Sequence, residues 1–276
     1  MTAASIVRLP RALAAVVAFA FLLPAGGGAL AFGGPDLRLE PAPVHRLDDA
    51  SLQRGARTFV NYCLNCHSAK YMRYNRLVDI GLTQDQIRDN LILGEAKIGD
   101  VMGIAMRPSD AKAWFGAPPP DLSVESRVRG RDWLYNYFIG FYRDEQSATG
   151  WNNLVFPNVG MPHVLASLSG TPKLATAEFP DHEAALAAAI GSKGLALLEP
   201  APGGKYAVRT IAADTPGSLS PVEYRALVAD LVNFMDYMGE PVRNKRINLG
   251  IVVMMFLGLL FFFAYWLKRE YWKDVH

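Results

Sequence analysis

Apolar residues concentrate in two uninterrupted runs, one near each end of the chain. The second run, Ile247–Leu267, contains no charged residue, and only Asn248, close to its start, is polar. At about 1.5 Å rise per residue a helix of this length covers about 30 Å, the thickness of a hydrocarbon core. A buried core helix would show a polar stripe over such a length, so we predict a membrane-spanning helix.

The first run, Ala12–Leu23, predicts a different role. It follows Arg8 and Arg11, is too short to span comfortably, and leads to the small-residue sequence Ala29-Leu30-Ala31. This order is typical of a secretory signal peptide. We therefore predict that residues 1–31 are cleaved and that the following residues are exported; an uncleaved anchor is the alternative.

The polar and apolar pattern between these runs predicts several helices. One begins after Asp48 or Asp49 and continues to Tyr62, with an apolar face that includes Phe59. A second lies near Thr83–Leu93, where Thr83 and Gln86 can form a capping box. Residues 131–142 are aromatic-rich and predict a third helix.

The clearest helix of the exported part follows Ser220. Ser220, Pro221 and Glu223 supply an N-cap, a first-turn proline and a capping glutamate, and Gly239 and Pro241 end the helix. Residues 94–126 are predicted to be mostly irregular. Residues 150–220 look loop-like, except for a helix near His182–Ile190 and a small β-hairpin over 195–211 that turns at 203–204.

These elements predict a mainly α protein with long loops and a small β-hairpin. We expect four parts: the signal peptide at 1–31, a single exported domain at 32–242, a transmembrane anchor at 243–268 and a cytoplasmic tail at 269–276. Basic residues flank the anchor on both sides, so the positive-inside rule does not decide its orientation. The predicted signal peptide does, because it exports the residues that follow it.

The charge of the exported part is opposite to that of the whole chain. The net charge is +2, but residues 32–242 hold 20 Lys and Arg against 24 Asp and Glu, a balance of −4. An acidic body of this kind favours a basic soluble partner, although ordinary solubility explains it equally well. It gives no support to a nucleic-acid partner.

Both cysteines of the chain lie in the motif Cys63-Leu64-Asn65-Cys66-His67. Two thiols at this spacing can reach the two vinyl groups of one porphyrin, and the histidine that follows can reach the iron. A zinc site would need further ligands nearby, and a thioredoxin-like pair would need a β-α-β pattern, which does not precede the motif. We therefore predict one haem c, bonded to Cys63 and Cys66 and ligated by His67.

Spacing leaves the sixth iron ligand open. Met161 lies in an irregular segment that could close over the haem, with Met106 and His163 as its main rivals. Met72 is too near His67 to cross to the other face of the ring. A thioether ligand predicts a higher reduction potential than a second imidazole.

The motifs together resemble the cytochrome c1 family, the haem c subunits of quinol–cytochrome c oxidoreductase. The resemblance rests on five features in order: Cys63-Leu64-Asn65-Cys66-His67-Ser68 with Tyr71 and Arg76-Leu77 after it, Arg107-Pro108, Pro119-Pro120-Asp121-Leu122-Ser123, Gly160-Met161-Pro162, and a C-terminal anchor after a capped helix. The attachment motif is common to c-type cytochromes, whereas the Pro-Pro-Asp-Leu-Ser sequence is more specific.

The resemblance implies a cytochrome c-like domain and a role for individual residues. Met161 matches the methionine ligand of the family, and Arg127 matches an arginine that pairs with a haem propionate. Pro120 corresponds to a proline packed against the haem edge, and Tyr71 to a pocket residue, although an aromatic there could equally be plain core. No side chain is expected to perform acid–base catalysis.

The resemblance also implies partners and a location. It implies electron transfer from a Rieske iron–sulfur protein to a soluble or membrane-tethered cytochrome c, within a dimeric complex that contains cytochrome b. The protein would cross the inner membrane once, with the haem domain in the periplasm and the tail in the cytoplasm. A free-standing membrane-anchored cytochrome that serves an oxidase or reductase is the alternative, and a haem sensor with an open sixth position is a third possibility.

Overall fold

The computed structural model describes residues 37–192 and 194–275, so the predicted signal peptide lies outside the described residues. The helices within these ranges are α1 (Asp49–Tyr62), α2 (Gln84–Leu91), α3 (Pro108–Phe115), α4 (Glu125–Arg129), α5 (Arg131–Ile139), α6 (Ala166–Ser169), α7 (His182–Gly191), α8 (Pro221–Gly239) and α9 (Arg243–Tyr271). The strands are β1 (Leu37–Arg38), β2 (Ala69–Arg73), β3 (Val101–Met102), β4 (Phe141–Arg143), β5 (Trp151–Asn153), β6 (Gly170–Phe179), β7 (Ala196–Ala201) and β8 (Lys205–Pro216).

The centre of the core is the contact between α1 and α8. The Asp48 side chain accepts a hydrogen bond from the backbone N–H of Ser51, which confirms the predicted start of α1. Gly55 lets the two helices approach, and beyond it the rings of Phe59 and Phe234 pack with their centroids 5.6 Å apart. This packing fixes the end of α1, from which the haem motif continues.

Both capping boxes predicted from the sequence are present. Thr83 and Gln86 exchange hydrogen bonds at the start of α2, and Ser220 and Glu223 do so at the start of α8. Each box satisfies backbone donors that the first turn of a helix leaves unpaired. The aromatic-rich helix is also confirmed as α5, which ends at Ile139.

The predicted β-hairpin is confirmed as β7 and β8, but it belongs to a larger sheet. The sheet is antiparallel with the order β1-β7-β8-β6, and the Ala-rich helix α7 packs against it. Strand β6 was not predicted. Only Gly170 in it is buried, so it lacks the alternation of apolar and polar residues that marks a half-buried strand.

The prediction that residues 94–126 are mostly irregular is confirmed, although α3, the strand β3 and the start of α4 lie within this range. Helix α3 has Pro108 in its first turn and ends at Gly116, which has φ 80°. These are ordinary start and stop signals of a helix, but the glycines and prolines around them concealed the short helical stretch.

The predicted membrane-spanning segment is helical and lies within the longer helix α9. Its side chains are exposed, and its most apolar window has a mean hydropathy of 2.5. Among the described residues, this is the one helix whose length and composition suit a membrane span. It is consistent with a single-pass anchor.

Candidate haem-binding site

The two cysteines lie directly after α1, where the chain makes a tight turn. The backbone N–H groups of Cys66 and His67 both donate to the carbonyl oxygen of Cys63, at 3.1 and 2.9 Å. Cys63 is buried, and burial, with a smaller contribution from Cys66, raises the pKa of its thiol to about 12. A thiol that stays protonated is a poor redox nucleophile, which argues against a thioredoxin-like role.

The imidazole of His67 is oriented by the chain segment that contains Pro120. Its Nδ1 atom lies 2.8 Å from the carbonyl oxygen of Pro120. A carbonyl can only accept, so Nδ1 carries the proton and Nε2 is left as an unprotonated donor for a metal. Burial lowers the pKa of His67, although the hydrogen bond to the Pro120 carbonyl opposes this effect. The lowered pKa favours the neutral ring that iron requires.

The Asp121 carboxylate holds this segment against the haem motif. It accepts hydrogen bonds from the Ser68 hydroxyl at 2.7 Å and from the backbone N–H of Lys70 at 2.9 Å. The N–H of Leu122 donates to the carbonyl of Ser68 at 2.8 Å. These bonds fix the distance between the two segments and thereby the contact between His67 and Pro120.

Met161 reaches the same cavity from a loop that buried asparagines shape. Asn153 donates to the carbonyl oxygen of Tyr137 at 2.7 Å and accepts from the N–H of Val155 at 2.9 Å. Asn152 accepts from the N–H of Asn158 at 2.8 Å. Asn158 itself has φ 61°, a left-handed conformation that asparagine tolerates better than most residues.

The cavity between these segments has a volume of about 430 Å³ and a largely apolar lining. Cys63, Cys66, His67, Pro120 and Met161 all line it. Two thiols, a neutral imidazole and a thioether in one apolar cavity are the donor set that a haem c with histidine and methionine ligands requires. The residues present therefore fit the predicted group.

The rival ligands are placed elsewhere. His163 is buried, stacks on Phe141 with ring centroids 4.8 Å apart, and has its Nε2 atom 2.7 Å from the Ser169 hydroxyl. Burial lowers the pKa of His163 to about 4. Neither His163 nor Met106 is part of the cavity lining. The geometry therefore favours Met161.

Two predicted site residues do not line the cavity. Tyr71 lies on β2 with 81% of its surface exposed, and the neighbouring Met72 is buried in a strand whose pairing with β3 is irregular. Arg127 is also exposed, and its side chain passes close to Gly239. The structure thus places both residues outside the pocket.

Arg129 is the arginine that lines the cavity. It lies four residues after Glu125, which also lines the cavity and accepts from Arg129 Nε at 3.2 Å. Residues four apart share one face of a helix, whereas Arg127, two residues away, points elsewhere. The guanidinium lies 4.8 Å from the centre of the Trp133 ring. The four-residue spacing between Glu125 and Arg129 is the sequence signal that could have pointed to Arg129.

The aromatic wall of the cavity was also missed. Trp133 and Tyr137 stack with ring centroids 5.1 Å apart and an angle of 10° between their planes, and Phe115 and Phe156 line the cavity as well. The four-residue spacing of Trp133 and Tyr137 was visible in the sequence. Nothing in the sequence indicated that Asn152 and Asn153 are buried.

Comparison with known proteins identifies similar sequences over most of the chain. The Cytochrome C1 family profile matches residues 40–168 and 219–275, leaving out most of the four-stranded sheet and α7. Cytochrome c1 of Allochromatium vinosum is 46% identical over 93% of this chain and 97% of its own length. Cytochrome c1 of Rhodospirillum rubrum is 26% identical over 95% of this chain and 97% of its own length.

A further relative is named as a subunit of an oxygenase and not as a cytochrome. A Nitrosomonas europaea protein named ammonia monooxygenase gamma subunit is 44% identical over 88% of this chain and 91% of its own length. The profile match and the extent of the similarity to the cytochromes show that this chain belongs to the cytochrome c1 family, electron-transfer subunits that carry covalently bound haem c.

Proposed function

We propose that this chain is the electron-transfer subunit of quinol–cytochrome c oxidoreductase. In this role it takes electrons from a Rieske iron–sulfur protein and passes them to a soluble or membrane-tethered cytochrome c. The observation that carries the proposal is the single cavity lined by Cys63, Cys66, His67 and Met161. Bound haem c supplies one-electron chemistry, because its iron cycles between the ferric and ferrous states.

Each residue of the cavity has a proposed role. Cys63 and Cys66 would form the two thioether bonds, and His67 and Met161 would ligate the iron. Pro120 holds the imidazole through its carbonyl oxygen. We assign the propionate contact to Arg129 in place of Arg127, because Arg129 lines the cavity and a guanidinium pairs well with a carboxylate.

The rest of the cavity excludes water and controls the reduction potential. Its apolar wall lowers the local dielectric, and the thioether of Met161 favours the reduced state relative to a second imidazole. No lining residue is needed as a general acid or base, because an electron is transferred without a bond to the protein being made or broken. The protein therefore acts by holding a redox group and setting its potential.

The proposed topology follows from helix α9 and the predicted signal peptide. Residues 1–31 would be removed, residues 32–242 would form the periplasmic haem domain, residues 243–268 the anchor in the inner membrane and residues 269–276 the cytoplasmic tail. The anchor would hold the domain beside cytochrome b in a dimeric complex. The balance of −4 on the exported domain supports a basic electron acceptor, whose association should weaken with salt.

The test is gentle purification of the chain from its native membranes, followed by a reduced-minus-oxidised visible spectrum. Co-purification of b-type with c-type haem, together with inhibitor-sensitive reduction of cytochrome c by quinol, supports the proposal. A spectrum with c-type haem alone, under conditions that keep other membrane complexes intact, favours a free-standing anchored cytochrome instead.

A second candidate is an electron-transfer subunit of an oxygenase complex. The observation in its favour is the 44% identity to the protein named ammonia monooxygenase gamma subunit. The same purification separates the two candidates, since the second predicts a copper or iron oxygenase in the complex in place of b-type haem and quinol-dependent activity.

A further inference from the structure

Met161 is hydrogen-bonded to a tyrosine of the cavity wall. The hydroxyl of Tyr137 donates a hydrogen bond to the Met161 sulfur, with an oxygen–sulfur distance of 3.3 Å. Both residues line the cavity. Among the hydrogen bonds of the described residues, this is the one that the Tyr137 hydroxyl makes.

The ring of Tyr137 is held in place by its aromatic neighbours. It stacks on Trp133 and meets Phe138 and Phe141 edge to face, with centroids 5.5 and 5.1 Å away. Its backbone carbonyl accepts from Asn153, the residue that shapes the Met161 loop. The hydroxyl and the sulfur are therefore fixed relative to each other by packing from both sides.

An apolar wall does not require a hydroxyl at this position. A phenylalanine would fill the same space and stack equally well, and burying a hydroxyl is costly unless it finds an acceptor. The acceptor here is a thioether, which is a weak one. The position of the hydroxyl is therefore explained by an effect on the sulfur better than by packing alone.

We propose that Tyr137 raises the reduction potential of the haem by donating its hydrogen bond to the ligand sulfur of Met161. A thioether has two lone pairs, so one can bind iron while the other accepts from the hydroxyl. The hydrogen bond withdraws electron density from the sulfur and weakens its donation to iron. Ferric iron loses more from weaker donation than ferrous iron does, so the reduced state is favoured. This inference rests on Met161 being the ligand.

The test is Tyr137→Phe in the haem-loaded full chain, with Tyr135→Phe as the matched control. Tyr135 is buried on the same helix but is not part of the cavity lining. Spectroelectrochemical titration should show a lower potential for Tyr137→Phe. The change in the reduction equilibrium should be no more than roughly tenfold, because a net hydrogen bond is worth about 0.5–1.5 kcal/mol. Tyr135→Phe should leave the potential unchanged.

A second measurement separates an electronic effect from damage to packing. Without the hydrogen bond, the sulfur binds ferric iron more strongly, so cyanide or imidazole should displace Met161 from Tyr137→Phe less readily than from the unaltered protein. A variant with a loosened pocket would be displaced more readily. A lower potential with harder displacement supports the proposal; an unchanged potential, or easier displacement, overturns it.

The charge-transfer band of a methionine-ligated ferric haem tests separately whether Met161 is the iron ligand, on which the proposal depends. If the unaltered protein shows this band but Tyr137→Phe has an unchanged potential or is displaced more easily, the ligand assignment stands and the role of Tyr137 is refuted. If the band is absent from the unaltered protein, Met161 is not the ligand and both are refuted.

Discussion

The Nδ1 atom of His67 and the carbonyl oxygen of Pro120 lie 2.8 Å apart, although 53 positions separate these residues in the chain. This contact places the proton on Nδ1 and leaves Nε2 as the nitrogen that would bind the haem iron. It depends on the Asp121 carboxylate, which ties the Pro120 segment to Ser68 and Lys70 next to the haem motif. Asp121 is therefore expected to support the ligand without touching it.

Asp121→Asn should destabilise the haem-loaded protein by about 1–2 kcal/mol, because the Ser68 hydroxyl and the Lys70 N–H share one carboxylate oxygen and lose a charged acceptor. Thermal unfolding of the full chain in detergent measures the change. Asp89→Asn is the control, since Asp89 is exposed and its hydrogen bond comes from the neighbouring Arg88. Equal melting temperatures for the two variants would contradict the role of Asp121.

The same carboxylate gives a pH dependence of known sign. Burial alone would raise the pKa of Asp121, but hydrogen bonds from Ser123, Lys70 and Ser68 together lower it. A lowered pKa in the folded state means that the stabilisation is present above the ordinary carboxyl pKa of about 3.9 and is lost as the pH falls through the folded-state value. The stability difference between the unaltered protein and Asp121→Asn should therefore be constant near neutral pH and shrink in acid. A difference that grows in acid would refute this assignment.

Met161→Ala should leave haem attached through the cysteines but remove an axial ligand. Axial ligands set haem potentials over a range of about 0.8 V, so the potential should fall further than in any variant of a non-ligand residue. Cyanide or carbon monoxide should then bind readily at neutral pH. Met106→Ala is the control, because Met106 does not line the cavity. If Met161→Ala keeps the original potential, Met161 is not the ligand and the rivals Met106 and His163 return.

The two arginines near the cavity should differ in their effect. Arg129→Gln removes a cation from the cavity lining, which should destabilise the reduced state and lower the reduction potential. The free energy of reduction should change by an amount on the order of 1 kcal/mol. Arg127→Gln should leave the potential unchanged, because Arg127 is exposed outside the cavity. Redox titration of both variants measures the difference. The reverse order would restore the prediction made from the family resemblance.

The contrast between these arginines shows how far the sequence could predict the site. The haem motif was predictable because attachment demands particular atoms at a particular spacing, whereas spacing left Met161 open against Met106 and His163 and only the family resemblance selected it. The resemblance placed the propionate contact on Arg127, but it is Arg129 that lines the cavity and shares a helix face with Glu125. A one-dimensional match cannot resolve two arginines two positions apart, whereas the geometry of one helical turn can.

The fold was predictable to a similar degree. Helices α1, α2 and α8 have caps with definite chemistry, so the sequence located their starts correctly. Strand β6 has little buried surface and depends on its pairing with β8, which is a long-range contact that no local pattern reveals. The burial of Asn152 and Asn153, which shape the Met161 loop, was missed because polar residues of this type are mostly exposed.

Gly55 offers a test of the packing that positions the haem motif. A Cβ atom at Gly55 would lie 2.0 Å from the carbonyl oxygen of Asp230 and 2.7 Å from the Cβ atom of Phe234, so α1 and α8 would have to separate. Alanine favours a helix over glycine by about 1 kcal/mol, but forcing extra volume into a packed core costs about 1–3 kcal/mol. The clash here involves backbone, which cannot move aside alone.

We therefore expect Gly55→Ala to lower the stability of the protein by about 1–2 kcal/mol despite the better helix former. Because α1 leads directly into Cys63, the shift should also reduce the amount of covalently attached haem per chain, measured by the haem absorbance of denatured protein. Gly191→Ala is the matched control: Gly191 is the last residue of α7, and a Cβ atom there meets nothing within 4 Å. It should be neutral or slightly stabilising. If both variants match the unaltered protein in stability and haem content, the close approach of α1 and α8 at Gly55 does not constrain the haem motif.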